Sequence, residues 1–262
     1  MGFNLSAVSS RSVAGKFLRW PLRFVPRELA VPIPQGALRG KRWIVGSATH
    51  GCWLGSYEYT KQRLFERRVA AGDIVYDVGA NAGFYTLLAS VLVGPTGHVV
   101  AVEPFPRNVS YLRRHLALNA VTNATLVEGA AHDHCGVVRI TDGPDSCQIR
   151  VDEAGALGVQ SFTLDDLVFH DGLPAPTAMK IDVEGAEGAV LRGARRLLAE
   201  HRPVIFLSTH GPDAHAECCQ LLTGFGYRLR PIDSGSVEDS SELVASTDVT
   251  ADRDDSGTLP AG

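Results

Sequence analysis

Asp77-Val78-Gly79-Ala80-Asn81-Ala82-Gly83 follows the apolar run Ile74-Val75-Tyr76 and leads directly into Phe84, Leu87, Leu88 and Val91. The run predicts a buried strand, and the i, i+3, i+4, i+7 spacing after it predicts an amphipathic helix. Between them, Gly79 and Gly83 predict a tight turn at a helix N-terminus, where backbone can approach a ligand closely. A larger residue at Gly79 is therefore expected to block the ligand and leave the fold intact. A nicotinamide-cofactor fingerprint starting at Gly79 would need glycine at 81 and 84, where the chain has Asn81 and Phe84. Asp77, directly ahead of the glycines, also suits a positive ligand group, an ammonium or sulfonium, better than a pyrophosphate.

The same alternation continues downstream. Val99–Val102, Ala124–Val127, Met179–Val183 and Pro203–Leu207 read as further strands. Val109, Leu112 and Leu116, then Val190, Leu191, Ala194, Leu197 and Leu198, stripe the helices between them. Val137–Ile140 and Gln148–Val151 read as an interrupting hairpin, and Thr163 with Asp166 as a helix start with a variant capping box. Strand–helix alternation implies right-handed crossovers and an α/β, Rossmann-like fold, a mostly parallel sheet with helices on both faces. Ligands bind at the carboxyl ends of such strands. Glu103, followed by Pro104, ends the second strand there and can accept both hydroxyls of a ribose. An acid–glycine turn with an acid on the next strand is the layout of an S-adenosylmethionine (SAM) site.

As a set, Asp77–Gly83, Val102-Glu103-Pro104 with Asn108 and Asn119, and Lys180-Ile181-Asp182-Val183-Glu184-Gly185-Ala186-Glu187 resemble the FkbM family of SAM-dependent methyltransferases. Ser161-Phe162-Thr163-Leu164-Asp165 is similar to that family's segment before its fourth strand, and the likeness spans about residues 50–230. The resemblance implies a class I methyltransferase fold and O-methylation of hydroxyls on sugars, glycolipids or polyketide-type metabolites. It implies that Asp77, Gly79, Asn81 and Gly83 line the methionine moiety, that Glu103 holds the ribose and that Gly129-Ala130 borders the adenine. Glu58, Phe84, Tyr85, Pro104, Asn108 and Asp182 complete the expected cofactor contacts.

Methyl transfer to an alcohol needs in-line alignment and a base for the hydroxyl proton. Asp182, Glu184, Glu187 and His210 fall at strand ends, with Glu184 and Glu187 spaced to share a helix face. The expected catalytic group is His210, partnered by Asp182 across neighbouring strands, with Glu184 as the next candidate. Lys180 is expected to pair with one of these acids. No metal is expected, the alternative being Mg²⁺ held by Asp182, Glu184 and a neighbour. His132-Asp133-His134-Cys135 is set aside as a metal site because consecutive side chains do not usually converge on one ion.

Residues 1–60 read as an N-terminal arm and lid, with Tyr57 and Glu58 facing the site. Residues 61–232 read as the SAM-binding domain, and 233–262 as an acidic edge strand, Glu242–Ala245, and a disordered tail. Residues 11–27 carry five bases and no acid among aromatic and aliphatic side chains. They either pack on the domain, the favoured reading, or rest weakly on an anionic membrane surface. The net charge of −4 argues against a nucleic-acid partner, and the chain lacks the Asn/Asp-Pro-Pro-aromatic stretch of base methyltransferases. The 5 cysteines show no C-x-x-C spacing, so a reducing, cytoplasmic location is expected, at most peripheral to the inner membrane face. The partner is then a small-molecule or glycolipid acceptor, and the rival of another class is a non-catalytic, membrane-associated protein of the same fold.

Overall fold

Short β-branched runs separated by amphipathic stretches fold here into strands and helices in the expected alternation. The computed structural model describes residues 20–142, 149–151 and 155–247. Strands β1 (Ala30–Pro32) and β2 (Arg42–Ile44) form an antiparallel pair. Helices α1 (His50–Leu54) and α2 (Tyr59–Arg68) lead to β3 (Ile74–Val78), α3 (Phe84–Val93), β4 (His98–Glu103), α4 (Pro106–Leu118) and β5 (Ala124–Glu128). Then come β6 (Ala130–Ala131), β7 (Gly136–Asp142), β8 (Ile149–Val151), β9 (Leu157–Phe162) and α5 (Leu164–Phe169). The chain continues through β10 (Ala178–Ile181), α6 (Glu187–Arg192), α7 (Arg195–Glu200), β11 (Val204–Ser208), α8 (Pro212–Gly224), β12 (Arg228–Pro231) and β13 (Glu242–Ser246).

The main sheet has seven strands in the order β12-β13-β11-β10-β3-β4-β5. β13 runs antiparallel to both its neighbours, and β10 and β11, β10 and β3, β3 and β4, and β4 and β5 pair in parallel. Strand order reverses between β3 and β10, which opens a crevice at their carboxyl ends. Val75, Tyr76, Val99, Val100, Met179, Ile205 and Phe206 are all fully buried, as expected for strands covered on both faces. One core packs α3 with Trp43, Trp53 and Phe65 on one face; the other packs α6, α7 and α8 on the opposite face. Each such large apolar side chain contributes about 1.5–3 kcal/mol on burial.

Two expected boundaries change. Glu242–Ala245 is not an edge strand: β13 lies between β11 and β12, where Leu243 and Ala245 are fully buried, so the domain does not stop at 232. Residues 30–58 are likewise no separate arm. Trp43 is fully buried and stacks on His115 at 3.8 Å between ring centroids. His115 Nε2 accepts from Ile44 N (3.0 Å) while its Nδ1 donates to Ala82 O (2.7 Å). Burial pushes the His115 imidazole down to about 4, consistent with this neutral tautomer.

β6, β9, β7 and β8 form a second sheet in that order, containing the expected hairpin with Ile140 opposite Val151. Thr163 caps α5, accepting from Asp166 N at 2.9 Å, while its own hydroxyl donates to the Asp166 carboxylate. Among the described residues no helix is long and apolar enough to cross a membrane. Arg11, Lys16 and Arg19 of the basic stretch, and residues 248–262 of the acidic one, lie outside the described residues.

Candidate active site

The turn after β3 requires glycine, but for a reason beyond the ligand. Gly79 sits at φ +80, and a Cβ there would overlap the Asp182 carbonyl oxygen. The segments leaving the parallel strands β3 and β10 approach so closely that only a hydrogen fits, so a larger residue at 79 would push them apart. The expectation of an intact fold in such a variant is corrected on that ground. Gly83, at φ +93 ahead of α3, is hemmed in instead by the end of the Leu112 side chain, so its left-handed backbone is the firmer reason for glycine. Asn81 (φ 51) and Glu184 (φ 55) also hold left-handed backbone in the turns flanking the crevice.

Sheet register places Lys180 beside Asp77. Lys180 Nζ lies 3.1 Å from Asp182 Oδ2 and 4.0 Å from Asp77 Oδ1, and 5.2 Å above the Tyr85 ring. Burial lowers the Lys180 ammonium, but the carboxylates of Asp182, Asp77 and Glu58 outweigh it and raise it overall. For Asp182, burial acts upward while Lys180 and Lys61 hold the carboxyl down at about 2. Asp77 is 1% exposed and receives a 2.6 Å hydrogen bond from Thr86; burial nonetheless raises it. The expected pairing of Lys180 is thus present with Asp182, and Asp77, outside the expected set, is a second and more distant partner.

Glu103 closes the next strand end. Its Oε2 accepts from Asn81 N (2.7 Å), and its Oε1 accepts from Phe105 N (3.0 Å) and Asn108 Nδ2 (3.2 Å). Burial pushes the carboxyl up to about 7 against these three donors.

His210 follows β11 and stands among three carboxylates. Its Nδ1 bonds Glu187 Oε1 at 2.9 Å, and its Nε2 lies 3.3 Å from Glu184 Oε2 and 3.8 Å from Asp182 Oδ1. Asp182 is therefore the most distant partner, and the buried Glu187 is the orienting one. Glu187 is itself fixed by Gly185 N (2.9 Å) and Val183 N (3.3 Å). Glu184 precedes α6 and Glu187 begins it, so the two share His210 instead of a helix face. The Glu187 hydrogen bond, with Glu184 and Asp182 nearby, outweighs burial and raises the imidazole. Ligand atoms of Asp182, Glu184 and His210 lie within 4.8 Å of one another, a grouping a cation could also use.

Asp77, Glu103 and Asp182 border a cavity at the strand ends; His210 is not among its lining residues and reaches its edge through Asp182 and Glu184. Asp77, Gly79, Asn81, Phe84, Tyr85, Glu103, Pro104, Asn108, Ala130, Asp182 and Glu184 all line it. Gly83 and Gly129 shape the turns behind the wall; a Cβ on Gly129 would come within 2.6 Å of Gln160 O. Glu58 turns to the buried Lys61 (2.8 Å), which also pairs with Glu242 (2.7 Å) and donates to Ser208. Tyr57 lines the cavity, and burial raises its phenol. Sequence reasoning did not single out Trp43, Thr49 and Ile140, which complete the wall with Cys52 of the expected lid segment. These positions carry no motif; only tertiary packing brings them there. Asp77 Oδ1 and Asn108 Oδ1 are buried without a hydrogen-bond partner, which fits a ligand bringing an ammonium and hydroxyl donors.

A reversing parallel sheet, an acid–glycine turn and a buried acid one strand away define a class I SAM-dependent methyltransferase. The chain belongs to the FkbM methyltransferase family: the family described as "Methyltransferase FkbM domain" matches residues 77–229. It is 27% identical over 213 residues to the 31-O-demethyl-FK506 methyltransferase FkbM of Streptomyces tacrolimicus, covering 68% of this chain and 78% of that protein. It is also 27% identical to the hexuronic acid methyltransferase AglP of Haloferax volcanii over 52% of this chain and 56% of that protein. Among solved structures, an FkbM methyltransferase from Methylobacillus flagellatus aligns with a TM-score of 0.49 at 18% identity, over 76% of this chain and 55% of that one.

Proposed function

We propose that the chain is an O-methyltransferase whose acceptor is a hydroxyl on a sugar, glycolipid or polyketide-type metabolite. The observation that carries this is His210, held by three carboxylates at a strand end beside the cavity wall. The names of the two relatives, one an O-demethyl-substrate methyltransferase and one a hexuronic acid methyltransferase, support the acceptor class.

SAM, when bound, supplies a methyl group on a positively charged sulfur. Glu103 and Asn108 would hold its ribose, Asp77 its ammonium, and Ala130 would border its adenine. Lys180 neutralises Asp77 and Asp182, so the acidic pocket stays formed without a metal. His210 takes the proton from the acceptor hydroxyl, and Glu187 and Glu184 stabilise the charge that the imidazole gains. His210→Ala should lower the transfer rate by about 10²–10⁴-fold with SAM affinity near native, read with labelled SAM on a panel of sugar and lipid-linked acceptors. An unchanged single-turnover rate would reject His210 as the base.

A second reading is favoured by the proximity of Asp182, Glu184 and His210: a Mg²⁺-dependent O-methyltransferase. Turnover that survives exhaustive chelation supports the metal-free route; activity lost on chelation and restored by Mg²⁺ supports the second.

A further inference from the structure

Outside the cavity, the turn between β6 and β7 does what consecutive residues seldom do. The side chains of His132, Asp133 and His134 converge: the two Nδ1 atoms are 3.1 Å apart, and each lies 2.8 Å from Asp133 Oδ1. The backbone makes this possible because it is pinned on three sides. His132 N donates to Phe162 O (2.9 Å), and Ser161 Oγ donates to His134 O (3.0 Å). The opposing residue is Gly193, where any Cβ would overlap the His132 carbonyl.

Asp133 is oriented as well. Arg192 grips its Oδ2 through Nε (3.0 Å) and Nη2 (2.9 Å) and is itself paired with Glu217, which leaves Oδ1 for the imidazoles. Two imidazole nitrogens and one carboxylate oxygen thus lie within 3.1 Å of one another, a spacing at which one cation can take a lone pair from each.

We propose that His132 Nδ1, Asp133 Oδ1 and His134 Nδ1 bind a divalent transition-metal ion, Zn²⁺, Ni²⁺ or Cu²⁺. Ligands about 2.0–2.2 Å from such an ion stand roughly 3 Å apart at adjacent positions, matching this triangle. Two imidazoles with a single carboxylate favour these ions over Mg²⁺ or Ca²⁺. His134 is 56% exposed, so water can complete the coordination. The ion would clamp the turn directly after Ala130 and Ala131, which line the cavity.

The test is calorimetric titration of the full chain with ZnCl₂, in native protein, a His132→Ala/His134→Ala variant and His210→Ala. The double variant should bind one zinc equivalent fewer than native, whereas His210→Ala should retain that equivalent. His134→Ala alone, at an exposed position, should weaken it by at least about tenfold with far-UV circular dichroism unchanged. SAM affinity should stay native in the double variant, which separates this site from the cavity. Equal zinc stoichiometry and affinity in native and double-variant protein would overturn the proposal.

Discussion

Replacing Glu103 by glutamine preserves the volume of a buried side chain and changes what its two ends can do. In the native protein both oxygens accept, one from Asn81 N and the other from Phe105 N and Asn108 Nδ2. An amide has one acceptor. With its oxygen facing the two donors, its NH₂ meets Asn81 N–H across a gap that was a 2.7 Å hydrogen bond. The variant therefore loses the charge at both ends and an acceptor at one. A hydrogen bond to a charged group is worth about 1.5–3 kcal/mol, so SAM affinity should fall by about 10–100-fold. Calorimetric titration with SAM at pH 8, where the native carboxyl is ionised, reads this directly; affinity within threefold of native would falsify the ribose assignment.

The pH dependence gives an independent reading of the same group. The folded-state value of about 7 lies above the ordinary 4.5, so Glu103 takes up a proton on folding. Its contribution to stability is complete below about pH 4.5 and is lost as pH rises through 7, an effect on the order of 3 kcal/mol. Urea denaturation across this window should show that loss in native protein and not in Glu103→Gln.

Four other outcomes are expected. Lys180→Met strands two buried carboxylates and should cost about 3–5 kcal/mol in equilibrium unfolding; a loss below 1 kcal/mol would show that Asp77 and Asp182 do not depend on it. Gly79→Ala should lower the melting temperature sharply and reduce native circular dichroism, since the segment leaving β3 cannot pass the Asp182 carbonyl with a methyl group between them; a native melting curve contradicts that close approach. The raised His210 imidazole adds stability below its ordinary value of 6.5 that is lost as pH rises through its folded-state value, and transfer should accelerate over that same rise. Glu187→Gln should move the acid limb of the rate profile to lower pH, and an unmoved limb would remove Glu187 as the orienting carboxylate.

Local chemistry explains what could be read before the fold was in view. Asp77, Gly79 and Gly83 announce themselves because a strand, a tight turn and a helix must follow within a few residues. Glu103 is legible because β4 is a clean apolar run that ends in an acid. Long-range choices are not written this way. Leu243 and Ala245 look equally apt for an edge or an interior strand, and only pairing on both sides places β13 inside the sheet. Trp43 reaches the cavity because His115 ties β2 to the turn before α3, through one contact 71 residues long and one of 33. The partnership of His210 with Glu187 depends on the turn between β10 and α6, whose left-handed Glu184 no periodicity reveals.

The interior position of β13 also sets a timetable for synthesis. β12 is made before β13 yet has no partner until β13 exists, because its ladder runs only through that strand. When Ser208 has emerged, β11 still presents an open edge, and the thirty-eight residues from there to Ser246 take roughly two to eight seconds at ribosomal speed. During that interval the nascent chain exposes one open edge of the strand Val-Ile-Phe-Leu, whose other edge pairs with β10. Glu242 also arrives last, so the buried Lys61 waits for one of its two carboxylates until the sheet is complete. A ribosome paused before residue 242 would hold a polypeptide with its SAM turn built and its sheet unfinished, the species most in need of a chaperone.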